Sequence, residues 1–243
     1  MSGIGLPDWY DIKKAGAVSA LGDLGELAAR LGSIVTFDRR GDVLWLTSFE
    51  CGLASVETAT SGAGGAVVLS TASARNGGYS AKLTAGSDGG KYAQVLKRVH
   101  PTVVGKVGVE FSWARRPADT IITVFLAYFP SGAYHYGGLR YHGPDDVWQY
   151  LDKANVWQTL EADVDLFSGD AVYHTMKLVI DLETDEYVRA MLDGFEHSLE
   201  GVGMLGSFIQ AGPYVLALVD LTDILATNPY IYVDDLIITQ NES

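Results

Sequence analysis

From Tyr79 to Thr239 the chain is a succession of short β-prone runs cut by Gly, Pro and Asp clusters. That spacing leaves little room for anything but stacked antiparallel sheets. The runs are Tyr79–Ala85, Lys91–Val99, Gly105–Ala114, Thr120–Phe129, Tyr134–Tyr141, Val147–Leu151, Val156–Asp163, Val172–Asp181, Tyr187–Leu192, Tyr214–Val219 and Tyr230–Thr239. No convincing helical period appears after Gly32, so βαβ units are excluded and a sandwich or barrel is predicted. Apolar residues make up 48% and charged ones 19%, a composition that folds rather than stays disordered. With 243 residues there is chain enough for one large all-β domain or two small ones.

The front of the chain differs. Ser19 is placed to cap a short helix in which Leu21, Leu24, Leu27, Ala28 and Leu31 recur at helical spacing before Gly32 ends it. Gly22 and Gly25 each weaken it by roughly 1 kcal/mol relative to alanine, so it needs a neighbour. Ile4, Leu6, Trp9 and Tyr10 are apolar in a stretch too short to form a core. Two readings stand: an arm folded back on its own domain, or one packed on another subunit. Ser33–Phe37 and Asp42–Leu46 then flank Asp38-Arg39-Arg40-Gly41 as a hairpin. Ala59–Ala66, rich in Gly, Ala and Ser, reads as a loop. The predicted organisation is an arm, short helix and hairpin over residues 1–46, then one sandwich over 47–243.

Charge narrows the partners. The chain carries −13 overall, but 13 Lys/Arg face 11 Asp/Glu up to Thr120, and 4 face 19 from Ile121 onward. Such an acidic half repels phosphate backbones and anionic membranes, so neither nucleic acid nor membrane is an expected partner. A single cysteine, Cys51, rules out an internal disulfide or a Cys-based zinc site and is expected as a buried thiol. The opening Met1-Ser-Gly-Ile-Gly-Leu-Pro-Asp-Trp-Tyr lacks a basic region followed by an apolar run. Cytoplasmic synthesis, with release by lysis as virion parts are released, is the expectation.

Three segments, in order, carry a family resemblance. Ser48-Phe49-Glu50-x-Gly52 precedes Asn76-Gly77-Gly78-Tyr79-Ser80-Ala81-Lys82-Leu83. Tyr173-His174-Thr175-Met176-Lys177-Leu178-Val179-Ile180-Asp181 leads to Leu192-Asp193-Gly194, and Tyr230-Ile231-Tyr232-Val233-Asp234-Asp235-Leu236 closes the chain's β region. Together they resemble the jelly-roll carbohydrate-binding modules of the concanavalin A-like and laminin G-like class, which implies an antiparallel β-sandwich. In those modules the glutamate of the Phe-Glu pair and a closing aspartate share a structural calcium. The resemblance therefore implies Ca²⁺ held by Glu50 with Asp234 or Asp235, an ion that takes six to eight oxygens. Independently, Ile231 and Val233 share one parity while Leu236 and Ile238 share the other, which predicts a β-bulge at the Asp pair. A weaker resemblance, through Gly5-Leu6-Pro7-Asp8-Trp9-Tyr10 and Gly32–Val43, is to phage virion proteins in which an arm precedes a sandwich.

No constellation of catalytic residues stands out. Asp181, Glu183, Asp185 and Glu186 sit between two β runs and read as a solvated turn rather than a glycosidase acid pair. No Gly-x-Ser-x-Gly elbow is present. The candidate ligand-binding residues are Tyr136, Arg140, Tyr141, Trp148 and Tyr150, because aromatic faces stack on sugar rings and nearby polar groups hold hydroxyls. Half of such a set must face the core: Trp148 and Tyr150 share one face, Val147, Gln149 and Leu151 the other. The leading expectation is a non-enzymatic structural protein, a phage capsid decoration or tail-associated subunit. It would self-associate through its arm into a homo-oligomer, or assemble with other virion proteins. The alternative is a lectin-like protein that binds polysaccharide through an aromatic face, and a concanavalin A-like hydrolase or lyase ranks last.

Overall fold

The computed structural model describes residues 38, 40–101, 103–114, 120–129, 134–207 and 214–243. The predicted helix before Gly32, the apolar segment around Trp9 and the strand Ser33–Phe37 lie outside these residues. Sixteen strands are formed within them. In chain order they are β1 (Asp42–Thr47), β2 (Glu57–Thr60), β3 (Ala66–Ser70), β4 (Ser80–Thr84), β5 (Lys91–Val99), β6 (Lys106–Ala114), β7 (Thr120–Phe129) and β8 (Tyr134–His142). There follow β9 (Val147–Leu151), β10 (Trp157–Glu161), β11 (Tyr173–Asp181), β12 (Glu186–Leu192), β13 (Phe195–Ser198), β14 (Leu205–Ser207), β15 (Tyr214–Asp223) and β16 (Tyr230–Gln240).

They make two antiparallel sheets. Sheet A runs β13-β12-β11-β6-β16-β4-β3, with β1 also paired to β16, and sheet B runs β10-β9-β8-β7-β15-β5-β2, with β14 beside β8. Successive strands pass repeatedly from one sheet to the other, so the core forms only when both are in place. Between them lie the large side chains of Trp113, Trp148, Tyr141, Tyr187, Phe49 and Phe111, all fully buried. Fully burying one such side chain contributes roughly 1.5–3 kcal/mol.

The observed strands match the predicted runs closely, and the differences have physical causes. β15 continues four residues beyond Val219 because Asp220 and Thr222 pair in register with Gln94 and Tyr92 of β5. Polar residues there face outward from sheet B and do not end the strand. Part of Ala59–Ala66, predicted as a loop, is strand: Thr60 closes β2 and Ala66 opens β3. β13 and β14 are too short to have left a period in the sequence. Asp42–Leu46, predicted as half of an N-terminal hairpin, lies in β1, a sandwich strand paired with β16, and Asp38–Ser243 form one compact unit. Cys51 is exposed, not buried.

Candidate functional site

The bulge predicted at the Asp pair is present. The β16–β6 register shifts between Asp234 and Ile237, and Asp235 adopts a φ of 49°. Asp234 Oδ2 accepts the amide N–H groups of Arg75 (2.8 Å) and Asn76 (3.2 Å), while Oδ1 accepts that of Asp235 (2.8 Å). Glu50 Oε1 accepts the amides of Gly78 and Tyr79, both at 2.8 Å. The two carboxylates thus grip the same loop, residues 75–79, and tie the start of the sandwich to its last strand through hydrogen bonds. Burial, and then the neighbouring Asp235 charge, push Asp234 up to about 7; burial pushes Asp235 up to about 6 against the pull of Arg75.

Of the carboxylates to which the resemblance assigns calcium, Glu50 Oε1 and both oxygens of Asp234 accept backbone amides here. Among the described residues no three Asp, Glu, His or Cys side chains converge as metal ligands. Among the described residues Asp235 Oδ2 is buried without a hydrogen-bond partner.

The aromatic candidates divide between two faces. β8 and β9 pair Tyr141 with Trp148 and Leu139 with Tyr150, and directly opposed residues share a face. Tyr141, Trp148 and Leu139 are fully buried, so this is the inner face. Tyr150 packs against the core and lies edge-on to Tyr187. Tyr141 and Trp148 are therefore interior and Tyr150 is a half-buried residue of the inner face, a correction to the predicted ligand set. Tyr136 and Arg140, of opposite parity, stand on the outer face of sheet B, both half-buried.

What surrounds those two residues is more extensive than the sequence suggested. Gln94, Asp220, Thr123, Arg140, Gln149 and Thr159 stand in register across β5, β15, β7, β8, β9 and β10. They form a single polar row perpendicular to the strands. Gln94 Nε2 donates to Asp220 Oδ1 (2.9 Å), and Thr222 Oγ1 donates to Asp220 Oδ2 (2.6 Å). Burial raises the Asp220 pKa above the usual carboxylate range. Arg140 Nε donates to Gln149 Oε1 (2.7 Å).

From this row a band of rings leads away along the strands. Trp157, Phe125, Tyr136, Tyr134, Phe129 and Tyr214 follow one another with centroids 6.1, 6.0, 5.3, 5.6 and 4.5 Å apart. A guanidinium closes each end: Arg140 lies 4.3 Å from the Trp157 centroid and Arg98 lies 5.5 Å from that of Tyr214. From β10 to β5 there are five strand-to-strand steps, about 24 Å at the usual spacing. Gly138 makes the close packing possible: a Cβ there would meet Phe125 at 2.7 Å and Trp157 at 3.1 Å.

The opposite face of the sandwich is built differently. On sheet A, Lys177 Nζ pairs with Asp38 (3.0 Å) and Glu242 (2.8 Å), while Arg189 pairs with Asp38 (3.2 Å) and with Glu242. All four side chains are at most 7% exposed. A Cβ at Gly108 would press on Thr239 and Glu242, so only glycine leaves them room. Glu110 stands opposite Lys177 on β6, with Oε1 buried and unpartnered. Burial pushes it up to about 7, with Asp38 adding to the rise and Lys177 opposing it.

An acid raised in the folded state holds its proton there while the unfolded chain has released it. Its contribution is thus full below the unfolded value near 4.5 and lost as pH rises towards 7. Stability is expected to fall by about 1–3 kcal/mol between pH 5 and pH 8, with Asp234 and Asp235 acting in the same sense. Calorimetry of the wild type and Glu110→Gln checks this. The variant should show a flatter slope and a higher Tm at pH 8, and an unchanged slope would contradict the assignment.

No family model matches the chain, and no curated protein matches it. Solved structures do. The cellulose-induced protein Cip1 aligns at a TM-score of 0.52 and 16% identity, over 80% of this chain and 96% of its own. The lectin UEA-II, solved with galactose, aligns at 0.49 and 11%, over 82% and 98%. A carbohydrate esterase from Shiga toxin-encoding bacteriophage phi24B aligns at 0.45 and 14%, over 82% and 98%. At such identities the likeness is one of fold. The chain is an all-β antiparallel jelly-roll sandwich, a fold it shares with Cip1. Residues 1–37, on which the resemblance to virion proteins mostly rests, lie outside the description.

The residues that the sequence reading missed are Phe125, Phe129, Tyr214, Arg98, Gln94 and Asp220. Both parities of β7 are apolar, so alternation within that strand gave no signal of which side was outer.

Proposed function

We propose that this protein binds polysaccharide on the outer face of sheet B. The observation that carries the proposal is the registered polar row and the continuous band of six rings that leads away from it. Sugars present both an apolar ring face and a fringe of hydroxyls, and the two kinds of surface meet here at Trp157 and Phe125. The fold is one that lectins and carbohydrate-binding modules share, which supports the reading without choosing a glycan. The role is binding rather than hydrolysis: Asp220 is held by Gln94 and Thr222, and its row contains no second acid. The assembly reading rests on residues 1–46, and the one strand of that stretch within the described residues belongs to the sandwich itself.

Trp157 is half-buried at the β10 end of the band, so its loss removes stacking surface without opening the core. In affinity electrophoresis against a panel of soluble polysaccharides, the wild type should be retarded by at least one. Trp157→Ala should weaken that interaction about tenfold or more, equivalent to roughly 1.4 kcal/mol. Phe195→Ala, an exposed ring on sheet A, should leave it unchanged. Equal retardation of all three proteins would overturn the proposed face.

A further inference from the structure

Arg140 is an unusual residue for its place. It lies in the acidic part of the chain, where only 4 Lys/Arg accompany 19 Asp/Glu. Two of those four, Lys177 and Arg189, are neutralised in the buried network on sheet A. Arg98, at the far end of the ring band, is paired with Glu57. Arg140 has no carboxylate partner among the described residues. Its Nε is committed to Gln149, and its guanidinium plane is steadied by Trp157. Among the described residues neither terminal nitrogen has a hydrogen-bond acceptor.

Burial lowers the Arg140 pKa to about 10, with Asp145 opposing weakly from beyond ion-pair distance. A half-buried cation without an anion is a cost that a merely structural arginine avoids by finding an acid. Here the cation is instead held by Gln149 and Trp157, beside rings suited to a sugar. A guanidinium fork matches carboxylate and sulfate oxygens two at a time, which lysine does not.

We infer that Arg140 receives an acidic substituent, a carboxylate or a sulfate ester, on a glycan whose rings stack on Trp157 and Phe125. This rests on the carbohydrate reading of the same face. The substituents should be sparse, because a chain of −13 repels a dense polyanion at long range. Diffuse attraction therefore cannot imitate the effect.

The test uses matched glycan pairs with the full chain. Xylan bearing glucuronate side chains is compared with the same xylan after carboxyl reduction, and lightly sulfated dextran with plain dextran. The wild type should bind one acidic member at least tenfold more tightly than its neutral counterpart, and the pair that responds identifies carboxylate or sulfate. Arg140→Gln should erase that preference, so that the acidic and neutral members of each pair are bound equally. Arg140→Lys, which keeps the charge and loses the fork, should restore only part of it. Equal wild-type affinity within both pairs would overturn the inference and leave the polysaccharide reading standing. Absence of binding to these polymers and to a broad glycan array would overturn both.

Discussion

Trp148→Ala is expected to destabilise the protein by about 3–5 kcal/mol, the usual cost of truncating a large core aromatic. Trp148 is fully buried between the sheets, opposite Tyr141 and edge-on to His197 at 5.2 Å. The cavity left behind is lined by two stiff sheets, which cannot readily close over it. For a domain of this size the change corresponds to a fall in Tm of roughly 10 °C. Trp148→Phe should cost much less, because among the described residues the indole Nε1 has no hydrogen-bond partner and its removal relieves an unsatisfied donor. Differential scanning calorimetry of the three proteins decides the matter. A Tm for Trp148→Ala within about 2 °C of wild type, well under 1 kcal/mol, would mean that this ring is not in the core.

Breaking the buried ion network should have an effect of similar size. Lys177→Met leaves Asp38 and Glu242 with Arg189 as their one remaining buried partner in the network, and such half-removed buried pairs typically cost 3–5 kcal/mol. The loss is non-additive by construction. Adding Glu242→Gln to Lys177→Met removes the surplus negative charge, so the double variant should recover part of the stability lost by the single one. Denaturant unfolding of the two single variants and the double gives the coupling directly. A coupling near zero would show that the four groups act as independent surface charges. The network also explains the placing of two chain segments: Asp38 enters over sheet A, and Glu242 folds back under Thr239 beside Gly108.

Much of the fold was legible because strands declare themselves locally. Lys91–Val99, Thr120–Phe129 and Val147–Leu151 coincide with their predicted runs, and the switch of parity between Val233 and Leu236 announced the bulge at the Asp pair. Which face of each strand meets the core was harder to read. In β9 the sequence Val-Trp-Gln-Tyr-Leu offers two plausible inner faces, and the choice is made by pairing with β8, where Tyr141 stands opposite Trp148. The proposed binding face suffered most from this. Gln94, Asp220, Thr123 and Arg140 come from four strands brought into register only by the sheet, with 126 residues separating the first two. The ion network was hidden for the same reason, since Lys177 and Asp38 lie 139 residues apart. The calcium expectation came through the resemblance alone; in the folded chain, amides of residues 75–79 satisfy Glu50 and Asp234.

The five tryptophans offer the most direct test of the proposed face. Trp113 and Trp148 are interior, whereas Trp157 stands at the end of the ring band. With a polysaccharide fragment that the protein retains, a titration followed by the indole N–H resonances should shift Trp157, assigned through Trp157→Phe. Trp113 and Trp148 should stay in place. A bound glycan that leaves the Trp157 resonance unmoved would contradict a binding site on the outer face of sheet B.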